Sequence, residues 1–282
     1  MENILEIRGV SRSFEHFQLK DINLEIPKGC IMGLVGENGA GKSTLIKLIL
    51  NLIHRDTGTI QIFGMDNIQQ ERPIKEQIGV VFDECHFSPM LRAKDVDSIM
   101  KHVYQNWDSA CFRQYLSRFR LPEKQSIKTY SRGMTMKLSI AVALSHQAKF
   151  LVLDEATSGL DPIVRDEILD LFFEFIQEED RGVLISSHIT SDLEKIADYI
   201  TFLHEGKILF CEPKDRLLDD YGILKCTVEE FNTMEERIVL GHRANRFGVE
   251  ALIRRKDAKA GQMMDPASIE DIMLFLVKGD LE

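Results

Sequence analysis

Residues 31–44 read IMGLVGENGAGKST, and this stretch decides the fold class. Its first part is a short apolar run that predicts a buried strand, and residues 42–52 carry the spacing of a helix. Between them lies the pattern G-x-x-x-x-G-K-[ST], from Gly36 to Ser43. A strand, a glycine-rich loop and a helix in this order are the context that a phosphate-binding loop requires. The sequence therefore predicts a nucleotide site.

The glycine-rich loop has the chemistry needed to hold a triphosphate. Gly36, Gly39 and Gly41 let bare backbone N–H groups and a helix N-terminus wrap closely around the phosphates. Lys42 supplies a cation to the β- and γ-phosphates, and the Ser43 hydroxyl can ligate Mg²⁺. The residues predicted to bind nucleotide here are Gly36, Glu37, Asn38, Gly39, Ala40, Gly41, Lys42, Ser43 and Thr44.

A second chemical signal is FLVLDE at residues 150–155, an apolar strand that ends in two carboxylates. In open α/β sheets ligands bind at the carboxyl ends of the strands, which is where Asp154 stands. Asp154 can direct Mg²⁺, and Glu155 can orient or deprotonate the attacking water. Taken alone, such a pair is more often a solvated turn. Together with the phosphate-binding loop, it favours a catalytic site.

The bulk properties exclude some functions. The 282-residue chain has a formal net charge of −10, so we expect no nucleic-acid partner bound through a broadly basic surface. No apolar run reaches the roughly 18–20 residues that span a bilayer, and the N-terminus does not resemble a secretory signal. The sequence therefore predicts a cytoplasmic protein that serves any membrane process by docking onto another protein.

The order of patterns along the chain predicts an α/β architecture. Residues 4–10 and 22–27 alternate apolar and polar side chains as half-exposed strands do, and residues of about 86–149 are mainly helical. Strands that alternate with helices predict a mainly parallel sheet. We expect one domain at residues 1–212 and a small accessory domain at residues 213–282.

Two local patterns carry further predictions. Glu205 and Gly206 predict the turn of a hairpin. Asp265 and Pro266 predict the cap and first position of a final helix that stops near Gly279. The apolar stripe predicted for that helix is Ile269, Ile272, Met273, Leu276 and Val277.

The full set of motifs resembles that of the ABC ATPases. GENGAGKST is followed in order by YSRGM (residues 130–134), FLVLDEATSGLD and SSH (residues 186–188). The resemblance covers residues 4–210. It implies a P-loop NTPase core with a mainly parallel sheet, an N-terminal antiparallel β part, a helical subdomain and a small C-terminal α+β extension.

The resemblance also implies roles for single residues. The glycine-rich loop corresponds to Walker A, and Asp154 with Glu155 corresponds to Walker B with its catalytic glutamate. Asp161 ends the D-loop (SGLD), and His188 is the switch histidine that contacts the γ-phosphate. Phe14 stands where the family places an aromatic that stacks on adenine, although a lone Phe after a strand is normally a core residue.

Two motifs depart from the family pattern. The signature usually reads LSGGQ; here Ser131 and Gly133 are kept to contact the ATP of the opposite subunit, while Arg132 replaces a glycine. Arg132 could attract phosphate, or its side chain could restrict the backbone and leave a slow site. Asp83 stands in place of the Q-loop glutamine. It could ligate Mg²⁺ or be an ordinary loop acid.

The resemblance implies a head-to-tail dimer, of identical or different subunits, that sandwiches ATP and Mg²⁺ and drives a separate multispanning membrane subunit. We expect this partner on the groove around Asp83 and the helical region, which places the chain on the inner face of the membrane. Export of a drug, peptide or lipid-like substrate is preferred over import. A soluble ABC ATPase acting on ribosomes or DNA is the alternative, which the single cassette and the absence of a long coiled coil disfavour.

Overall fold

The structure is a computed structural model that describes residues 2–259, 262 and 264–278. Its contacts divide the chain into two compact units, Met1–Cys211 and Glu212–Glu282. The strands that begin in the first unit are β1 (Asn3–Ser13), β2 (Gln18–Pro27), β3 (Ile31–Val35), β4 (Thr57–Ile62), β5 (Met65–Asp66), β6 (Ile78–Val81), β7 (Phe150–Asp154), β8 (Gly182–Ser186), β9 (Tyr199–His204) and β10 (Lys207–Pro213).

The helices of the first unit connect these strands. They are α1 (Lys42–Ile49), α2 (Glu71–Lys75), α3 (Ala93–Val103), α4 (Ser109–Arg118), α5 (Arg132–Leu144), α6 (Pro162–Phe175) and α7 (Thr190–Ile196). The region predicted to be helical holds α3, α4 and α5. Within the described ranges no helix is long and apolar enough to cross a bilayer, and α6, at 14 residues, is the longest.

A six-stranded sheet in the order β10-β9-β3-β8-β7-β6 forms the centre of this unit. Every residue of β3, β7 and β8 is buried, as expected for apolar strands covered on both faces. The neighbours β9/β3, β3/β8, β8/β7 and β7/β6 are parallel. A smaller antiparallel sheet follows the order β2-β1-β4-β5. The predicted fold class is confirmed.

The parallel order positions the chemistry-bearing segments. Because β3, β8 and β7 are adjacent and parallel, their carboxyl ends meet at one edge of the sheet. The phosphate-binding loop follows β3, the second carboxylate follows β7, and the histidine of SSH follows β8. Three segments far apart in the sequence therefore reach the same edge.

Helix α1 is shorter than predicted. The apolar spacing predicts a helix over residues 42–52, but α1 ends at Ile49. Asn51 has a left-handed φ of 52°, and the Leu52 N–H returns to the Lys47 carbonyl at 2.8 Å. A left-handed residue with a returning hydrogen bond ends a helix, and asparagine accepts this conformation more readily than most residues.

The hairpin between β9 and β10 turns where it was predicted. Glu205 and Gly206 both have a positive φ, of 44° and 74°, as a two-residue hairpin turn requires. The Gly206 N–H donates to the Ala40 carbonyl at 3.1 Å, and its carbonyl accepts from the Lys20 N–H at 2.9 Å. The turn therefore supports the phosphate-binding loop from behind.

Gly206→Ala is expected to destabilise the first unit strongly. A Cβ at Gly206 would lie 1.9 Å from the Gln18 carbonyl oxygen. The left-handed φ costs about 1–2 kcal/mol, and forcing extra volume into packed structure typically costs about 1–3 kcal/mol more. Gly64→Ala is the matched control, because Gly64 has a φ of 73° and nothing within 4 Å of its Cβ position. Urea unfolding followed by Trp107 fluorescence measures both variants; equal losses would contradict the packing argument.

The second unit is a small α+β fold. Its strands are β11 (Tyr221–Cys226), β12 (Val239–Asn245), β13 (Gly248–Arg254) and β14 (Met264–Pro266), and its helices are α8 (Lys214–Asp220), α9 (Val228–Asn232) and α10 (Ile269–Lys278). The sheet is antiparallel in the order β12-β13-β11-β14. Leu224, Ala251 and Ile253 are buried at its centre.

The predicted start of the final helix is wrong. Pro266 lies in β14 opposite Gly222, on an edge strand, where proline is tolerated. Helix α10 begins at Ile269 instead. Ser268 and Asp271 cap it reciprocally: the Asp271 N–H donates to Ser268 Oγ at 3.0 Å, and the Ser268 N–H donates to Asp271 Oδ2 at 3.1 Å. This reciprocal cap, rather than Asp265, satisfies the free N–H groups at the helix start.

The apolar stripe of α10 is only partly as predicted. Ile269 and Ile272 are buried, but Met273, Leu276 and Val277 are half-buried. Phe275, absent from the predicted stripe, is 4% exposed and packs under the Arg243 guanidinium, 5.4 Å from its ring centroid. The predicted stop at Gly279 lies outside the described residues.

Candidate functional site

The glycine-rich loop packs closely against its surroundings. A Cβ at Gly36 would lie 2.3 Å from the Leu203 carbonyl oxygen, so only glycine fits there. Gly41 combines a φ of 112° with a Cβ position 2.7 Å from Phe17 Cζ. The loop then passes directly into α1, which begins at Lys42. The packing therefore requires glycine at the same positions where phosphate binding requires it.

Lys42 is folded back over this loop. Its side chain is 7% exposed, and Nζ donates to the Gly36 carbonyl at 2.7 Å and to the Glu37 carbonyl at 3.3 Å. Nζ also lies 3.8 Å from Glu155 Oε1. The buried cation therefore faces both the loop and the carboxylate at the end of β7.

Glu155 is held in a strained backbone conformation. Its φ is 53°, in the left-handed region that non-glycine residues seldom occupy. The Glu155 N–H donates to the Ser186 carbonyl at 3.2 Å and to Ser186 Oγ at 3.1 Å. Its Oε2 lies 2.6 Å from His188 Nδ1 and accepts the His188 N–H at 3.3 Å. Backbone strain of this kind persists where surrounding bonds over-determine it, as it does at many active sites.

Asp154 lies beneath this arrangement and is 6% exposed. Its Oδ1 accepts a hydrogen bond from Ser186 Oγ at 2.6 Å. One serine therefore contacts the side chain of Asp154 and the backbone of Glu155. No role for Ser186 is predicted from the sequence, although Ser186 is the first residue of the SSH motif.

A cavity of about 390 Å³ lies over the glycine-rich loop. The predicted site residues that line it are Glu37, Asn38, Gly39, Gly41, Lys42, Ser43, Thr44, Asp83, Glu155 and His188. Gly36, Ala40 and Asp154 are buried and do not line it. The structure thus brings Asp83, which the sequence placed there only by resemblance, into the same cavity as Lys42 and Ser43.

The aromatic side chain at this cavity is Phe17. Phe14, predicted to stack on adenine, is 44% exposed and does not line the cavity. The two rings are stacked with centroids 6.4 Å apart, and the Arg12 guanidinium lies 5.2 Å from the Phe14 centroid. The place of Phe17 in the cavity lining is not predicted from the sequence, where the only indication is that Phe17 is the second aromatic residue of FEHF.

The signature residues and Asp161 do not line the cavity of their own chain, whereas Ser158, the first residue of the D-loop, does. Ser131 caps α5, and Asp161 caps α6 by accepting from two N–H groups at distances of 3.2 and 3.1 Å. Arg132 is exposed, and its guanidinium carbon lies 3.0 Å from the position a Cβ would take on Gly159 of the D-loop. Neither these residues nor Gly133 line the cavity.

The donor set around the cavity fits a nucleotide phosphate with a divalent cation. Loop N–H groups and Lys42 offer hydrogen bonds and positive charge for phosphate oxygens. The Ser43 hydroxyl and the Asp83 carboxylate line the cavity and are oxygen ligands of the kind that Mg²⁺ prefers, while the Asp154 carboxylate is buried outside the lining. Glu155, bound by His188, presents a carboxylate that can accept a proton.

Comparisons with known proteins agree with this chemistry. The sequence profile of the family described as ABC transporter matches residues 19–158. The chain is 30% identical over 219 residues to the ABC transporter ATP-binding protein YtrB of Bacillus subtilis (strain 168), covering 77% of this chain and 75% of that protein. It is 34% identical over 209 residues to the lantibiotic transport ATP-binding protein SrtF of Streptococcus pyogenes, covering 73% and 89%.

A solved structure shows the same fold. The structure of an ATP binding subunit of an ABC transporter superposes with a TM-score of 0.70 at 25% sequence identity. The match covers 76% of this chain and 91% of that one.

Proposed function

This chain belongs to the ABC transporter family as an ATP-binding protein, and on that premise we propose that it hydrolyses ATP to drive a separate membrane subunit. The observation that carries the proposal is the meeting of three groups at one cavity. Lys42, from the loop after β3, lies 3.8 Å from the carboxylate of Glu155, which follows β7. His188, which follows β8, lies 2.6 Å from the same carboxylate.

In this proposal the residues divide the work of phosphoryl transfer. The loop N–H groups and Lys42 hold and neutralise the phosphates. Glu155 takes the proton of the attacking water on its carboxylate, and His188, bonded to Oε2, fixes the direction in which that carboxylate points. The strained φ of Glu155 and its two bonds to Ser186 hold the base in place before the reaction.

Ser43, Asp154 and Asp83 are the residues that would hold Mg²⁺, with Asp154 kept in orientation by Ser186. The cation supplies charge neutralisation for the phosphate oxygens. Asp83 brings a negative charge where the family's glutamine is neutral, which favours a cation but disfavours the phosphates.

We infer a dimer because the signature is not part of its own chain's cavity. Ser131, Arg132 and Gly133 lie at the N-terminus of α5, where free N–H groups favour an anion. Placed against a second subunit's cavity, they would contact that subunit's ATP. ATP then acts as the contact between two subunits, and hydrolysis weakens the dimer.

The membrane subunit has a candidate docking groove of about 460 Å³ in the first unit. Its apolar lining residues are Leu50, Leu52, Ile78, Val80, Phe82, Val103 and Tyr104. Leu52 and Val103 are 52% and 55% exposed, more than is usual for residues that only fill a core. Phe82 lines the groove, and the next residue, Asp83, lines the nucleotide cavity. A partner in this groove would therefore reach the chain beside the nucleotide.

Co-purification tests the proposed partner. Tagged chain, expressed in its own host and recovered from detergent-solubilised membranes, is expected to retain a multispanning membrane protein. Val103→Glu places a charge among the apolar residues of the groove and should lose this protein, because burying a carboxylate against an apolar partner surface is costly. Phe173→Glu, at an exposed residue of α6 outside the groove, should keep it. If both variants retain the membrane protein, the groove is not the docking site. If the unaltered chain retains no membrane protein, the result opposes the transport function.

We propose export of a peptide or similarly amphipathic substrate. The support is the relative whose name describes lantibiotic transport. We further propose that residues 213–282 form an accessory domain and that the chain works on the cytoplasmic face of the membrane. Co-purification with an importer that uses a periplasmic binding protein would overturn the proposed direction.

A further inference from the structure

An ion pair between a half-buried arginine and a buried aspartate joins the two helices that follow the catalytic segments. Helix α6 begins directly after the D-loop, and α7 begins shortly after His188. Arg165 of α6 and Asp192 of α7 face each other, with Nη1 3.8 Å from Oδ1. Arg165 also donates from Nη2 to the Leu160 carbonyl of the D-loop at 3.3 Å. We call Thr157, Leu160, Arg165 and Asp192 the α6–α7 seam.

The seam is poorly satisfied for a buried polar cluster. Among the described residues, five buried side-chain nitrogen or oxygen atoms have no hydrogen-bond partner, and three of them are Thr157 Oγ1, Arg165 Nε and Asp192 Oδ2. Asp192 is 4% exposed. An unpartnered buried polar group costs about 1–3 kcal/mol, more if it is charged. One donor and one acceptor of the same ion pair, Arg165 Nε and Asp192 Oδ2, thus both lack a hydrogen-bond partner.

Other ion pairs of α6 show that this distance is not imposed by the helix. Lys137 Nζ lies 2.5 Å from Glu167 Oε2. Lys195 of α7 pairs closely with Asp166, the neighbour of Arg165, on the solvent side of the same two helices. A pair that only fastened α6 to α7 would be expected to be shortest where it is buried, because close geometry is what offsets desolvation. Here the more buried of the two pairs is the longer one.

The seam completes a closed circuit of contacts that includes the segment of Glu155 and the segment of His188. Glu155 leads into the D-loop, where the Ser158 N–H bonds to the Glu155 carbonyl at 3.0 Å, and the D-loop leads to Arg165. On the other side Asp192 lies in the first turn of α7, and its N–H bonds to the Ile189 carbonyl at 3.2 Å, next to His188. His188 Nδ1 returns to Glu155 Oε2 at 2.6 Å.

We propose that Arg165 and Asp192 are a positioning pair that holds His188 against Glu155. When the second subunit docks, it displaces the D-loop, and this displacement shortens the distance between Arg165 and Asp192. The inference rests on the proposed function, since it assumes hydrolysis at Glu155 in a dimer. Shortening the pair satisfies Arg165 Nε and Asp192 Oδ2, and this gain favours the arrangement in which His188 is fixed. Neither residue lines the nucleotide cavity, so in this proposal both act through His188.

The test replaces the pair without breaking the fold. Arg165→Met/Asp192→Leu exchanges a largely buried ion pair for apolar side chains, a change that is often neutral or stabilising. We expect kcat for ATP hydrolysis to fall about tenfold, within the range of misplaced catalytic groups, while KM for ATP and the melting temperature stay near those of the unaltered chain. Asp166→Asn/Lys195→Gln, which removes the solvent-side pair of the same helices, is the matched control and should leave kcat unchanged.

A second background separates positioning from simple support. In His188→Ala, assayed at high protein concentration, the Arg165→Met/Asp192→Leu change should cause little further loss, because groups that act as a unit are not additive. An equal tenfold loss in that background would overturn the proposal, as would an unchanged kcat in the original background. Arg165→Lys keeps the charge but cannot bond Leu160 and Asp192 with one fork. Arg165→Lys should therefore also lower kcat, and an unaltered kcat in this variant would contradict the proposal. Absence of hydrolysis by the unaltered chain would instead oppose the proposed function.

Discussion

Glu155→Gln is expected to lower the rate of ATP hydrolysis by about 10²–10⁴-fold, the usual contribution of a general base. Glutamine has the shape of glutamate and can still accept the His188 hydrogen bond through its amide oxygen, but it cannot take a proton from water. Lys42, the glycine-rich loop and Ser186 remain in place, so ATP should still bind. The assay is phosphate release at saturating ATP, with nucleotide binding measured separately.

The Glu155→Gln protein should also remain a dimer while ATP is present, because ATP that is not hydrolysed continues to bridge the subunits. Light scattering with ATP and with ADP measures this state. Glu179→Gln, which removes an exposed carboxylate after α6, is the charge-matched control and should hydrolyse ATP normally. Near-normal turnover in Glu155→Gln would show that another group is the base.

Lys42→Ala is expected to abolish detectable ATP binding. Hydrogen bonds to a charged group contribute about 1.5–3 kcal/mol each, and 1.4 kcal/mol is a factor of ten in Kd. Loss of the cation also leaves the 18%-exposed Glu155 side chain without the ammonium 3.8 Å away, so its charge would repel the phosphates. We therefore expect Kd to rise about 100-fold or more, measured by titration calorimetry with the non-hydrolysing Glu155→Gln protein as the binding reference.

Lys47→Ala is the matched control for Lys42→Ala, because Lys47 is an exposed lysine of the same helix. It should bind ATP as the unaltered chain does, and both variants should melt as cooperatively as that chain. ATP binding by Lys42→Ala at unaltered affinity would remove the loop from the proposed site.

The glycine-rich loop could be predicted from the sequence because its structure is decided locally. Strand, loop and helix follow one another within residues 31–49, and Gly36, Gly39 and Gly41 stand where a left-handed φ or a close contact excludes other residues. The same holds for the turn at Glu205 and Gly206. In these segments the residue types at short spacing already indicate the conformation, and contacts with distant residues such as Leu203 and Gln18 reinforce it.

The wrong helix start falls where two local signals compete. Asp265 and Pro266 have the composition of a helix start, but so do Ser268 and Asp271, and pairing of Pro266 with Gly222 on β11 settles the choice. The pattern FEHF also contains two aromatic residues; packing near Gly41 places Phe17 in the cavity lining, and adenine stacking by Phe14 stays a prediction. Sequence spacing carries no information about which strand or glycine lies nearby.

By itself the sequence determined the class of fold and the kinds of group at the site, because those depend on residue types at short spacing. Only the tertiary structure decided how the groups meet. Lys42, Glu155 and His188 come together because β3, β7 and β8 are parallel and end at one edge. Arg165 and Asp192 meet because α6 and α7 pack side by side. Such contacts depend on the register of strands and helices distant in the chain, which no local pattern encodes.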